Sequence, residues 1–151
     1  MNNKNAYSYF QASFSKGFVA PNLPIITVKH GDIPLTFLID TGSDDNVIDS
    51  NIVDKLETTA PKRLMHTHLT GIGGTFEVQA CNLSFVCQDE EYNADFLIRD
   101  FSDTFPVIFE AHAIQLHGML GSKFLKENHI VLDFQNLSAY SHPIPPKPTE
   151  E

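Results

Sequence analysis

Asp40-Thr41-Gly42-Ser43 closes the apolar run Phe37-Leu38-Ile39, and two further acids, Asp44 and Asp45, precede the apolar pair Val47-Ile48. A carboxylate at the end of a buried strand is desolvated, which costs energy unless something stabilises its charge. The residues after Asp40 supply the means. Gly42 permits a sharp turn whose backbone amides point back at the carboxylate. The hydroxyls of Thr41 and Ser43 add further hydrogen-bonding capacity. An ordinary Asx turn, with Asp40 only capping amides, is the plain alternative for so short a motif.

Two other stretches bear on that choice. Leu69–Phe76, "LTGIGGTF", places Gly71, Gly73 and Gly74 around Ile72 between two alternating segments, which describes a mobile hairpin tip able to close over an extended ligand. His117–Leu125, "HGMLGSKFL", sets two apolar residues, Met119 and Leu120, before Gly121 and a helical segment. Each fragment is common alone; their order and spacing together are not.

Over roughly residues 22–140 these features resemble the retropepsin-like aspartic proteases. Asp40-Thr41-Gly42-Ser43 matches the family's catalytic turn, Gly71-Ile72-Gly73-Gly74 its glycine-rich flap, and Met119-Leu120-Gly121 its apolar-apolar-glycine signature. The resemblance implies a mostly β fold, a small closed barrel of the acid-protease type with one or two short helices. It implies an aspartic endopeptidase without a cofactor, acting on peptide or unfolded protein. Such chemistry needs two carboxylates sharing one proton, one acting as base toward water and the other as acid toward the carbonyl. The chain carries one motif: the other Asp-Thr, Asp103-Thr104, runs into Phe105, which cannot make the glycine turn. The resemblance therefore implies a twofold homodimer that brings Asp40 of each subunit together, with Thr41 locking the two loops and Gly42 allowing the turn. Ser43, Asp44 and Asp45, with the flap residues 71–74, Met119 and Leu120, are the expected substrate-binding set. Ser43 is also expected to bond the ionised Asp40 pair and lower its apparent pKa.

The chain departs from its viral relatives in two places. They carry an arginine after the signature glycine, bracing the active-site loop, where this chain has Ser122 and Lys123. They also interleave terminal strands, which a proline-rich end opposes; residues 6–18 are the candidate replacement. A peptide-binding or dimerisation module of the same fold, or a protease active only within a larger assembly, is the alternative function.

The elements that must position these residues follow from periodicity. Strands are expected at 25–30 and 34–40 around a Gly31-Asp32 turn. A helix capped by Asp49 or Ser50 follows, with Ile52, Val53 and Leu56 on one face. Further strands are expected on either side of the glycine cluster, at 83–87, around "YNADFLI" and over "HIVLDF", with a short helix at "SKFLKEN". The segment from Phe105 to Gly118 fits either helix or loop. The domain is bounded as an aromatic-rich N-terminal extension (1–20), a protease domain (21–141) and a proline-rich flexible tail (142–151).

The composition fits this reading. The 151 residues suit one domain with a real core, and 10 basic against 19 acidic residues argue against nucleic acid as a partner. No apolar run would span a bilayer and no secretory leader is visible, so no membrane partner and a cytoplasmic location are expected. Cys81 and Cys87, an even number of residues apart on one strand, read as buried thiols too distant to bridge. His66 and His68 share a strand face without an evident third ligand, so no metal is assigned.

Overall fold

The computed structural model describes residues 9–19, 21–56, 62–68 and 75–142. In chain order the strands and helices are β1 (Gln11–Ser13), α1 (Ser15–Val19), β2 (Ile25–His30), β3 (Ile33–Ile39), β4 (Asn46–Asp49) and α2 (Ser50–Val53). A 3-10 turn (Asp54–Leu56) extends α2, followed by β5 (Lys62–His68), β6 (Thr75–Cys87), β7 (Glu90–Arg99) and α3 (Phe105–His112). The last four are β8 (Gly118–Leu120), α4 (Ser122–Glu127), β9 (Ile130–Asp133) and β10 (Ser138–Ser141).

Seven strands form one sheet in the order β2-β3-β8-β4-β7-β6-β5. A pairing of β2 with β6 at Lys29–Val86 closes six of them into a barrel and leaves β5 attached outside. Most pairings are antiparallel, but β3 runs parallel to β8 and β4 parallel to β7. The fold is thus mostly β, a small closed barrel with short helices, as the sequence led us to expect.

Alternation along the strands selects the interior. Leu35, Phe37 and Ile39 of β3 point inward, as do Cys81, Leu83, Phe85 and Cys87 of β6. Phe37, Phe85 and Phe96 meet edge-on or tilted at centroid separations of 5.4 to 6.3 Å, and Phe124 of α4 joins them through Phe85 at 5.8 Å. Aromatic pairs at such spacings add to the stabilisation from burial alone. Asp49 caps α2 as expected, its Oδ1 accepting from the Asn51 amide at 3.2 Å.

The described part of the expected leader, residues 9–19, packs against this barrel. Phe10, Ala12 and Phe14 are buried in the same cluster as Phe37 and Phe85. Residues 11–13, within the segment considered for a dimer strand, pair instead with β10 of the same chain in a three-stranded sheet β1-β10-β9. The ambiguous segment is helix and loop in turn. α3 stops at Ala113, which takes a left-handed φ of 55° and donates its amide to the Phe109 carbonyl. The chain then runs as loop into β8. β6 is one strand of 13 residues rather than two pieces, because β5 pairs along its first half and β7 along its second, the two overlapping at Ala80 and Cys81.

Candidate active site

β3 delivers Asp40 to the end of the barrel. Its amide donates to the Leu120 carbonyl at 2.9 Å, continuing the parallel β3–β8 ladder by one residue. The turn then closes on the carboxylate: the Gly42 amide donates to Asp40 Oδ1 at 3.0 Å. The Ser43 amide reaches the Asp40 carbonyl at 3.3 Å. Asp40 Oδ2 has no partner among the described residues. The side chain is half-buried, so one carboxylate oxygen is held and the other is available.

The remainder of the loop is held from outside. Three carbonyls in succession face the start of α4: Thr41 O accepts from Ser122 Oγ at 2.7 Å, Ser43 O from the Ser122 amide at 2.7 Å, and Asp44 O from the Lys123 amide at 3.1 Å. Gly121 makes this approach possible. A Cβ there would meet Asp45 O at 2.5 Å and Asp44 O at 2.7 Å. The Gly121 amide donates to Asn46 Oδ1 at 2.9 Å, while Asn46 Nδ2 donates to the Asp95 carbonyl at 3.2 Å. Asn46 is buried, and its bonds to both sides tie β4, β7 and the glycine into one unit.

These contacts revise several expected roles. The Ser43 hydroxyl donates to the Asp45 carbonyl at 3.0 Å, so its single proton is not directed at Asp40 and the expected effect on the Asp40 pair loses its donor. Leu120 is fully buried in the barrel core and presents no surface to a substrate; it supports Asp40 from below through its carbonyl. Met119, half-buried on the opposite face of β8, pairs with Leu38 and Val47 and shares the face of Asp40. Asp44 is exposed and Asp45 half-buried, and among the described residues neither carboxylate has a partner. Thr41 is exposed, and its hydroxyl likewise has none. Gly71, Ile72, Gly73 and Gly74 lie outside the described residues. Where the sequence led us to look for a brace, Ser122 binds the loop through its hydroxyl and amide, and Lys123 through its backbone amide.

Asn46 and Ser122 were not singled out from the sequence. Asn46 sits 75 residues from Gly121, and Ser122 81 residues from Thr41, so neither pairing leaves a local pattern. The one available signal was the Gly121 signature itself.

A cavity and a half-buried histidine lie along the strands that frame the turn. Asp45 and Asn46 line a cavity of about 270 Å³ together with Asn82, Asn93, Asp95 and Lys123. His117 precedes β8, with Nδ1 accepting from the Thr36 amide at 2.9 Å and its own amide donating to the Thr36 carbonyl at 2.8 Å. Burial holds the His117 pKa below its ordinary value; Asp49 opposes that shift and Lys55 adds to it. Among the described residues no group of three or more His, Cys, Asp or Glu side chains is placed to hold a metal ion.

The closed β-barrel thus presents a single Asp-Thr-Gly turn beside an apolar-apolar-glycine strand. The chain belongs to the aspartyl protease family, whose model matches residues 26–124. Aspartic-type proteolysis is the activity of that family. Among solved structures, the EIAV protease complexed with the inhibitor HBY-793 is similar, 22% identical over 72% of this chain and 89% of that one, with a TM-score of 0.49. Comparison with curated proteins found no match.

Proposed function

We propose that the active enzyme is a homodimer in which the Asp40 carboxylates of two chains meet at a twofold axis and share one proton. The observation that carries this reading is the half-site itself. Asp40 is held through one oxygen by Gly42, its second oxygen has no partner among the described residues, and the chain has no second Asp-Thr-Gly.

One carboxylate takes a proton from a water lying between the pair, and the water oxygen attacks the scissile carbonyl carbon. The other carboxylic acid protonates the carbonyl oxygen. The tetrahedral intermediate collapses as the C–N bond breaks and the departing nitrogen receives a proton. Thr41, exposed with an uncommitted hydroxyl, is suited to join the two loops across the axis. Gly42 leaves space for the substrate backbone. Ser43, Asp44 and Asp45 border an extended peptide, with the Asp44 and Asp45 carboxylates accepting from its amides. Met119 supplies apolar surface beside Asp40, and residues 71–74 close over the peptide, which lies strand-like in the cleft.

A mixed peptide library incubated with the protein from about pH 4 to pH 7 tests this reading, the range in which a shared-proton dyad loses function. Asp40→Asn keeps the shape and removes the charge, and its cleavage is expected to vanish. Adding excess Asp40→Asn protein to wild type is expected to suppress wild-type cleavage, because mixed dimers hold one carboxylate. Undiminished cleavage by Asp40→Asn would exclude the acid chemistry, and unsuppressed cleavage in the mixture would exclude the shared site.

A further inference from the structure

We infer that Ser122 is the positioning residue of the Asp40 turn, bracing it through one hydroxyl that grips the Thr41 carbonyl. This rests on the reading of Asp40 as the catalytic carboxylate.

The turn has little to hold itself. Within residues 40–43 there are two hydrogen bonds, Gly42 amide to Asp40 Oδ1 at 3.0 Å and Ser43 amide to Asp40 O at 3.3 Å, the second at the long end of the range. Thr41 and Gly42 are both exposed in the single chain, so burial within it does not fix them. The orientation of the Thr41–Gly42 peptide therefore depends on what grips the Thr41 carbonyl. That group is Ser122 Oγ, at 2.7 Å.

The placement of Ser122 is itself over-determined. Gly121 packs against the carbonyls of Asp44 and Asp45 closely enough to exclude a Cβ, and Asn46 holds its amide. The backbone amide of Ser122 binds Ser43 O, and Lys123 binds Asp44 O. The first turn of α4 is thus pressed against residues 43–45 by backbone contacts that any residue at 122 would make. Among the described residues, the hydroxyl adds the one tie from α4 that reaches back to residue 41. A serine at a helix start commonly caps its own helix, but α4 has no side-chain cap at Gly121, and Ser122 spends its hydroxyl on the neighbouring loop instead.

Removing that tie lets the Thr41–Gly42 peptide turn toward water and takes the Gly42 amide away from Asp40 Oδ1. The carboxylate then samples orientations in which it cannot face its counterpart. Substrate contacts made elsewhere in the cleft remain, so turnover suffers more than binding.

The test compares wild type, Ser122→Ala and Ser122→Thr, with amide hydrogen exchange and kinetics measured on each. Ser122→Ala is expected to speed exchange at Gly42 and Ser43 while core amides such as Leu35 and Phe37 stay protected. Its kcat should drop roughly tenfold or more with little change in KM, since small misplacements of a reacting group are costly. Ser122→Thr keeps a hydroxyl and should restore both readouts. Unchanged kcat in Ser122→Ala, a loss that threonine does not rescue, or a loss shared by the core amides would overturn the inference. If wild type cleaves no peptide, the protease reading fails separately. Exchange then decides the tie: unaltered Gly42 and Ser43 protection in Ser122→Ala would sink it, and threonine-reversible loss would support it.

Discussion

Gly121 has no room for a side chain, and that single fact organises the residues around Asp40. Its missing Cβ allows the start of α4 to meet the carbonyls of Asp44 and Asp45, and its amide satisfies the buried Asn46. Gly121→Ala should lower stability by about 1–3 kcal/mol through overpacking against backbone that cannot give way. Urea unfolding measures it, and an unchanged midpoint would mean that the loop carbonyls can retreat. The same variant should lose turnover, since α4 could no longer reach residue 41. Cys87 is a contrast at this scale. Burial pushes its thiol up to about 11, and Sγ donates to the Gln11 carbonyl at 3.3 Å, so it is a packing group and not a nucleophile.

Among the elements, β1 and β10 change the picture most. The aromatic leader packs as part of the domain: Phe14 is fully buried and lies 5.5 Å from both Phe18 and Phe134, while Phe10 reaches Tyr92 at 5.4 Å and Phe124 at 6.2 Å. Since Phe124 belongs to α4, Phe10 supports the helix that holds the Asp40 turn. Phe14→Ala should cost about 3–5 kcal/mol, as expected for a large aromatic removed from a packed core. A thermal melt distinguishes this from a dispensable extension, whose truncation would leave the midpoint where it was. β8 matters equally at three residues. Gly118 lies against the Val47 carbonyl, where a Cβ would approach to 2.2 Å, and the strand is held between β3 and β4.

For the whole molecule, stability is coupled to pH through His117. Its Nδ1 accepts an amide proton from Thr36, and burial disfavours its charged form, so the folded protein holds the ring neutral to lower pH than the unfolded chain does. As pH falls below the ordinary value of 6.5, the unfolded state takes up the proton first. Unfolded chains then bind more protons than folded ones, and stability falls with pH until the folded pKa is passed. The stabilisation is complete above that ordinary value and is lost on acidification. His117→Asn, which can accept from Thr36 without titrating, should flatten this part of the profile in urea unfolding measured at pH 7.5, 6.5 and 5.5. Parallel profiles for the two proteins would exclude the histidine. The consequence reaches the site, because His117 leads directly into the strand that holds Asp40.

The Asp-Thr-Gly turn and its flanking strands were legible in the sequence, because a glycine turn after an alternating strand is a local pattern. β2, β3, α2, α4 and β9 were legible for the same reason: each is specified by the period of its own side chains. Barrel closure, the pairing of β1 with β10 and the burial of residues 10–14 were not, since they depend on partners far apart in sequence, Lys29 with Val86 and Gln11 with Tyr140. The same limit applied to single side chains. Ser43 looked placed to serve Asp40 but donates to Asp45, Leu120 looked like a substrate contact but faces the core, and Ser122 and Asn46 carried no mark at all. Which residue types stand next to the carboxylate was determined by the sequence alone. Which of them hold it was decided by the tertiary structure, because a hydrogen bond is a matter of distance and direction that opens only when the barrel brings residues 41 and 122 together.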